Sequence, residues 1–467
     1  MINNKINFWI LKNGLLLGIV LKAIFLPTFA GVKISGMEDS TEKDFKYRLF
    51  AIQLEKNLKT VLEAWFPLCI DKEFGGYHQD FKYNWERGDS KERMLVFQTR
   101  MLWMASQVMI HFEDLREEYR EYVYHGFRYL RDFMWDQEHG GFYFRMDVDG
   151  NLIGSSKYDK DEKHAYPLSF AIYALADAYR ATQDDQILQM AIETFEWLDE
   201  KGHDKNYGGY FEAFERDGTK ILEPKDSKHP FCKIVDSLYG SKTMNTQIHL
   251  LESFTALATV TKHKILHNRL RELHSIVLNK ICVSPGAMNL YFNADWSVLP
   301  DHNSFGHNVE TAFLLTESAK AIGISGDPKT IRMSRDLVDH SILVGWDVKN
   351  HGLMDSGGVT HASFERDKIW WVQAENLNAL LLMHSKYNEE TGKYWKLFVE
   401  QWNFIDNYLL DHENGGWHLS VAENGALNSM QDKCPPHGWK ACYHNGRALI
   451  HCIQTLHSLA KQSLYEN

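Results

Sequence analysis

Two stretches of the sequence place a histidine three residues before a glutamate. They are His249 with Glu252 and His307 with Glu310. In a helix this spacing sets both side chains on one face, and a carboxylate beside an imidazole fixes its tautomer and raises its basicity. The pairs therefore predict histidines that transfer protons. For each histidine taken singly, a packed or capping role in the core is the alternative.

A third histidine, His444, lies in an aromatic and polar segment that begins at Trp439. Upstream, Trp370 and Trp371 are adjacent, and Glu375 follows Trp371 by four residues. A flat ring and a carboxylate on one helical face suit stacking against a sugar ring. A tryptophan pair buried in the core, with a capping glutamate, is the alternative.

Compact metal-ligand and phosphate-binding motifs are absent from the sequence. It contains no HExxH, GxGxxG, GxxxxGK[ST] or GxSxG, so we expect neither a metal nor a nucleotide cofactor. Zinc or iron held by the His–Glu pairs is the competing hypothesis. Acid–base catalysis by side chains alone remains. Arg100 is a candidate to hold a substrate oxygen, because a buried charge needs a partner.

The composition is that of a folded protein whose ligand is not a polyanion. The chain has 467 residues, of which 44% are hydrophobic and 24% charged, and its net charge is −11. Binding to nucleic acid or to an anionic membrane requires clustered lysine and arginine, so we expect neither partner. An aromatic share of 13%, with 14 Trp and 21 Tyr, suits stacking against sugar rings.

A glycine turn followed by an apolar or aromatic residue recurs along the chain. The six turns begin at Gly75, Gly140, Gly208, Gly286, Gly352 and Gly415. Between them lie segments with apolar residues at helical spacing, enough for two helices per unit. Such hairpins close best into a ring whose inner helices bury one another, an (α/α)6 barrel, with an open solenoid as the alternative. The widest interval, at 220–241, predicts a loop over the rim of the ligand pocket.

The first 36 residues differ from the rest. Lysines flank and interrupt an apolar run that resembles a signal peptide and is too short to span a membrane. A start at Met37 is the alternative, and we assign residues 37–467 to one catalytic domain. The leader would direct export to the periplasm, and a start at Met37 would leave the protein in the cytoplasm. The six cysteines form no CxxC pair and predict reduced core thiols, which favours the cytoplasm.

Several stretches of this sequence, in family order, resemble the N-acylglucosamine 2-epimerase superfamily, and within it the cellobiose 2-epimerases most closely. The matching stretches are 98–103, 163–175, 208–214, 242–249, 306–310, 370–375 and 439–447. The most specific are Trp-Trp-Val-Gln-Ala-Glu and Tyr-His-Asn-Gly-Arg. The resemblance implies an (α/α)6 barrel, no cofactor, and reversible epimerisation at C2 of the reducing-end sugar of β-1,4-linked disaccharides, such as cellobiose to glucosyl-mannose. We expect a monomer or weak dimer.

The resemblance also implies roles for individual residues. His307 and His444 would exchange the C2 proton through a cis-enediol, one removing it and the other returning it. His249 would assist ring opening, the glutamates would orient the histidines, and the tryptophans would stack on sugar units. The implied catalytic set is His307, His444, His249, Glu310 and Glu375. The implied substrate-binding set is Arg100, Asn245, Trp371 and Trp439.

The sequence departs from the family pattern at Phe305, Asn308, Phe313 and Pro167. We expect these changes to affect the wall of the pocket more than the proposed bases. A mannobiose 2-epimerase and an N-acylglucosamine 2-epimerase-like enzyme are therefore alternatives. More remote ones are an (α/α)6 glycoside hydrolase, which needs two carboxylates beside the scissile bond, and a sugar-binding protein.

Overall fold

The computed structural model describes residues 39–154, 159–225, 230–362, 366–387, 392–427 and 429–464. The signal-like segment 1–36 lies outside this part of the chain. Twelve α-helices make up most of the described residues. They are α1 Asp39–Trp65, α2 Leu95–His111, α3 Arg116–Tyr129, α4 Ala165–Thr182, α5 Asp185–Gly202, α6 Met244–Val260, α7 Lys264–Ile276, α8 Phe305–Ala321, α9 Pro328–Gly345, α10 Trp370–Lys386, α11 Lys393–Phe404 and α12 Tyr443–Ser463.

The helices form two concentric rings. The even-numbered helices are the inner ring and are buried over most of their length, as α2 is from Leu95 to Met109. The odd-numbered outer helices are amphipathic; α7, for example, buries Leu266, Leu270 and Leu273 at helical spacing. Each inner helix packs against the next, and α12 packs against both α10 and α2. The ring is therefore closed, which confirms the predicted (α/α)6 barrel and excludes the open solenoid.

The two ends of the described chain build the sixth hairpin together, because α12 packs along α1. Every outer helix returns the chain, so all six inner helices begin at the same end of the barrel. The positive ends of their helix dipoles converge there. That end holds the candidate site.

Short antiparallel strands tie five of the six inner helices to the next unit. The strands are β1 Glu92–Met94, β2 Arg145–Asp147, β3 Lys163–His164, β4 Ala213–Phe214, β5 Phe231–Cys232, β6 Ser237–Leu238, β7 Lys242–Thr243, β8 Cys282–Val283, β9 Ala287–Met288, β10 Tyr291–Phe292, β11 Val298–Leu299, β12 Asn303–Ser304, β13 Ser356–Gly357, β14 Lys368–Ile369 and β15 Ser420–Val421. The strand that precedes an inner helix pairs with one beyond the following glycine turn: β1 with β2, β3 with β4, β7 with β10, β12 with β13, and β14 with β15.

The described residues of the segment 220–241 include the hairpin β5–β6. Cys232 Sγ is 3.6 Å from His164 Nδ1, and the Tyr239 hydroxyl donates a hydrogen bond to Glu162. Both partners directly precede α4. These contacts place the hairpin at the rim beside the start of α4, as expected for this part of the segment.

A buried cation anchors five of the six glycine turns. The pairs are Arg93 with Asp71, Lys163 with Asp136, Lys242 with Asp204, Lys368 with Asp347, and Lys433 with Asp411. Lys368 Nζ also donates to the main-chain oxygens of His351 and Glu423, so one ammonium holds the turn and the next unit together. Sequence analysis found the glycines but not these ion pairs.

All six cysteines lie in the described part of the chain as buried free thiols, as predicted. Among the described residues, no helix is both long enough and apolar enough to cross a membrane.

We expect Lys368→Met to lower the free energy of unfolding by about 3 to 5 kcal/mol, because it leaves Asp347 buried without its counter-ion. Lys396→Met on the outer surface, where the side chain is 75% exposed, is the matched control and should change stability by less than about 0.5 kcal/mol. Urea unfolding followed by circular dichroism measures both. Equal stability of the two variants would contradict an anchoring role for Lys368.

Candidate active site

A fully buried arginine lies at the centre of the inner ring. Arg447 on α12 donates through Nη1 to Glu252 and, at 2.5 Å, to the Tyr443 hydroxyl. Its Nη2 donates to Glu310 at 2.5 Å and to Glu375 at 2.7 Å. The three carboxylates come from α6, α8 and α10. One guanidinium thus joins four inner helices through charge-assisted hydrogen bonds.

The cluster holds three carboxylates against one guanidinium, and its members respond differently to burial. Burial opposes ionisation of Glu252, but Arg447 and the hydrogen bonds from His249 and Tyr443 lower its pKa to about 2. Burial raises the pKa of Glu375 above its ordinary value despite the same arginine. Glu252 is therefore ionised. We call Arg447 and its three carboxylates the ionic layer.

The three predicted histidines surround this cluster, and each forms a hydrogen bond through its Nδ1 atom. His444 Nδ1 is 2.7 Å from Glu375, His249 Nδ1 is 3.0 Å from Glu252, and His307 Nδ1 is 2.7 Å from the hydroxyl of Ser304. A carboxylate acceptor fixes the Nδ1–H tautomer and leaves the Nε2 lone pair as the base. This holds for His444 and His249.

The expected pairing of His307 with Glu310 is wrong. Both side chains lie on α8, but Glu310 turns to Arg447, and no hydrogen bond joins it to His307 within the described residues. Glu310 acts on His307 only through its charge. Ser304, the N-cap residue of α8, orients His307 instead.

Burial keeps two of the histidines uncharged. It lowers the pKa of His307 to about 4, and together with the nearby Arg100 it lowers the pKa of His444 well below its ordinary value. Both imidazoles are neutral at pH 7 and are available as proton acceptors.

Trp371 lies against both of these histidines. Its ring centroid is 4.8 Å from that of His307 and 5.5 Å from that of His444. Gly306 makes room for the indole, since a Cβ at that position would come within 2.5 Å of it. The predicted stacking residue therefore has a ring beside both candidate bases.

The remaining predicted residues line the same end of the barrel. Arg100 donates to the main-chain oxygen of Trp439 at 3.1 Å, and its guanidinium lies over Phe170 at 4.5 Å. Asn245 Oδ1 is buried and has no hydrogen-bond partner among the described residues. Arg100 also lies 3.4 Å from the Tyr166 hydroxyl, a contact that sequence reasoning missed.

Sequence reasoning also missed Arg447 and Tyr443, although both stand in the Tyr-His-Asn-Gly-Arg stretch. The available signal was a charged residue within the otherwise apolar face of α12, which is buried from Tyr443 to Ile450. A charge on such a face requires buried partners of opposite sign.

Three side chains lie close enough together to be considered as metal ligands. Atoms of Glu310, Glu375 and His444 fall within 4.8 Å of one another. Arg447 Nη2 already donates to one oxygen of each glutamate, and His444 Nδ1 donates to the same Glu375 oxygen. The second oxygens, Glu310 Oε2 and Glu375 Oε2, have no hydrogen-bond partner among the described residues.

Three of the four departures from the family pattern, Phe305, Asn308 and Phe313, do not line this site, contrary to expectation. Phe305 packs against Gly345, and Asn308 donates to Asn303 at 3.1 Å. Phe313 lines a cavity at the opposite end of the inner ring. Pro167 is buried in the first turn of α4.

A comparison with protein families matches residues 75–448 to the model described as N-acylglucosamine 2-epimerase. The chain belongs to the N-acylglucosamine 2-epimerase family. Family members similar to it include a cellobiose 2-epimerase of Bacteroides fragilis, 29% identical over 86% of this chain and 98% of that protein. A D-mannose isomerase of Marinomonas mediterranea is 25% identical over 86% of this chain and 97% of that protein. The chain is an isomerase of this family.

Solved structures agree with the fold. The cellobiose 2-epimerase of Spirochaeta thermophila has a TM-score of 0.77 at 28% identity and covers 89% of this chain and 98% of its own. A GH76 α-mannanase of Bacteroides thetaiotaomicron, with a TM-score of 0.54 at 12% identity, covers 92% of this chain and 100% of its own. The second likeness shows the fold alone.

We expect Arg447→Met to destabilise the barrel by at least about 3 kcal/mol at pH 8, because it leaves three buried carboxylates without their counter-ion. Without the arginine their folded-state pKa values rise, so the folded variant binds more protons than the unfolded chain. The loss relative to wild type should therefore be smaller at pH 5 than at pH 8. Urea unfolding at the two pH values measures this difference.

The matched control is Arg271→Met at an exposed position on α7. It should unfold like wild type at both pH values. A loss for Arg447→Met that is the same at pH 5 and pH 8 would contradict the electrostatic role of the arginine.

Proposed function

We propose that this isomerase is a cellobiose 2-epimerase, which interconverts cellobiose and glucosyl-mannose at C2 of the reducing-end sugar. The observation that carries the proposal is the arrangement of His307 and His444. These two neutral imidazoles lie on different helices, both against Trp371, with Nδ1 engaged. Two bases beside one sugar platform match the need to remove a proton from one face of C2 and return one to the other.

The reaction starts from the open-chain aldehyde, since only then is the C2 hydrogen next to a carbonyl. His249, whose Nδ1 is held by Glu252, assists opening by moving the proton of the C1 hydroxyl to the ring oxygen. Arg100 donates a hydrogen bond to the C1 or C2 oxygen, and Asn245 Oδ1, which has no partner among the described residues, accepts one from a sugar hydroxyl.

One histidine then takes the C2 proton through Nε2, and the electron pair of the C–H bond moves into a cis-enediolate. The Arg100 guanidinium and the converging N-termini of the inner helices stabilise the negative oxygen. The opposite histidine takes up a proton from solvent and delivers it to the other face of C2, and the first histidine then releases the abstracted proton to solvent. Glu375 stabilises the charged form of His444.

The carboxylates argue against glycoside hydrolysis at this site. Hydrolysis needs one carboxyl group as acid and a second as base or nucleophile. Glu252, Glu310 and Glu375 each contact Arg447 instead, so none is poised to protonate a glycosidic oxygen. This supports proton exchange on the sugar over cleavage of its linkage.

Incubation of the full chain with cellobiose in heavy water should give the C2 epimer with deuterium at C2, seen by proton NMR and mass spectrometry. A parallel incubation with β-1,4-mannobiose ranks the two disaccharides, and a ketose product would indicate isomerisation at C1 and C2 instead. Release of free glucose or mannose, or no turnover of either disaccharide, would contradict the proposal.

We expect His307→Phe and His444→Phe each to reduce epimerisation at least about 1000-fold while leaving the far-ultraviolet circular dichroism unchanged. Each variant keeps one base, which faces only one side of C2. His307→Phe should therefore still exchange the C2 hydrogen of one epimer with heavy water, and His444→Phe should exchange that of the other epimer. His457→Gln, at a half-exposed position on α12, should retain full activity. Exchange of both epimers by either phenylalanine variant would refute the two-base assignment.

A further inference from the structure

A second cavity opens at the end of the barrel opposite the candidate active site. It has a volume of about 490 Å³ and lies between the C-terminal halves of α2, α4, α6 and α8, with α12 completing the wall. Glu252 lines it and also contacts His249 and Arg447. The ionic layer around Arg447 is thus the partition between the two ends of the barrel.

The deep part of this cavity has aromatic walls and one unsatisfied polar atom. Trp103 and Tyr173 lie side by side with ring centroids 5.5 Å apart, and Phe313 packs on His451 at 4.7 Å. His451 Nδ1 is buried without a hydrogen-bond partner among the described residues. Burial lowers the pKa of His451 to about 3, so its ring is neutral. A ligand with hydroxyl groups suits this wall, since a purely apolar ligand would leave the ring nitrogen unpaired.

Charges of both signs line the outer part of the cavity. Glu317 and Lys320 lie one turn apart on α8, and Arg180 faces them from α4, where it pairs with Asp177. A ligand of either net charge would meet like charges there. A neutral ligand with several donors and acceptors can pair with all of them and stack on the aromatic walls.

We propose that this cavity is a second ligand site, separate from the catalytic one, that binds a neutral polyhydroxylated molecule of about monosaccharide size. The volume falls within the range of small-molecule pockets. Because Glu252 forms its floor, an occupied cavity also touches the group that holds His249. The site requires no turnover, so its test is independent of the proposed epimerase activity.

The probe is myo-inositol, a cyclic polyol without a carbonyl group that cannot be epimerised. Saturation-transfer NMR on the full chain should show saturable binding. Phe313→Trp, which extends an aromatic ring into the cavity, should weaken binding at least tenfold. Trp371→Ala, in the candidate active site, should leave the dissociation constant within twofold of wild type.

Thermal unfolding checks that each variant is folded. If Phe313→Trp does not fold, Glu317→Gln, which keeps the side-chain volume, replaces it and should weaken binding at least threefold. Absence of saturable binding by the wild-type chain overturns the proposal. So does binding that Trp371→Ala abolishes or that the cavity variants leave unchanged.

Discussion

A single buried guanidinium determines how the centre of this barrel is built. Arg447 contacts carboxylates from three other inner helices, so their relative rotation and height are fixed by hydrogen bonds to one planar group. Two of those carboxylates, Glu252 and Glu375, hold His249 and His444 in turn. The arginine therefore helps to orient two histidines that it does not contact, both of them proposed to act in catalysis. Loss of its charge would affect stability and chemistry through the same contacts.

The scaffold around this centre is repetitive, and its repetition serves the site. Glycine turns, most of them anchored by a buried lysine or arginine, return the chain from each outer helix to the same end of the barrel. Six inner helices therefore start together, with the positive ends of their dipoles directed at one space. In the proposed epimerisation this field would stabilise the negative charge of the enediolate.

The fold of this chain is shared with a protein of a different named activity. The GH76 α-mannanase shares the architecture at a TM-score of 0.54 and only 12% identity, and fold alone does not set activity. In this chain each carboxylate of the central layer contacts an arginine, which leaves the histidines as the groups able to exchange protons. The partition formed by that layer also separates the two openings of the barrel.

The sequence by itself determined the features that depend on local spacing. Six glycine turns with helical segments between them indicated the (α/α)6 barrel, and the three-residue spacing predicted the contact of His249 with Glu252, because neighbours on one helical face are within reach of each other. Only the tertiary structure decided which of these neighbours pair and which partner each side chain meets across the ring. His307 and Glu310 have the same spacing, yet Glu310 contacts Arg447, 137 residues away, and Ser304 takes its place beside His307. The pairing of His444 with Glu375 and the position of Phe313 at the opposite cavity likewise depend on ring closure, which fixes the rotation of each inner helix and is not encoded in any single helix.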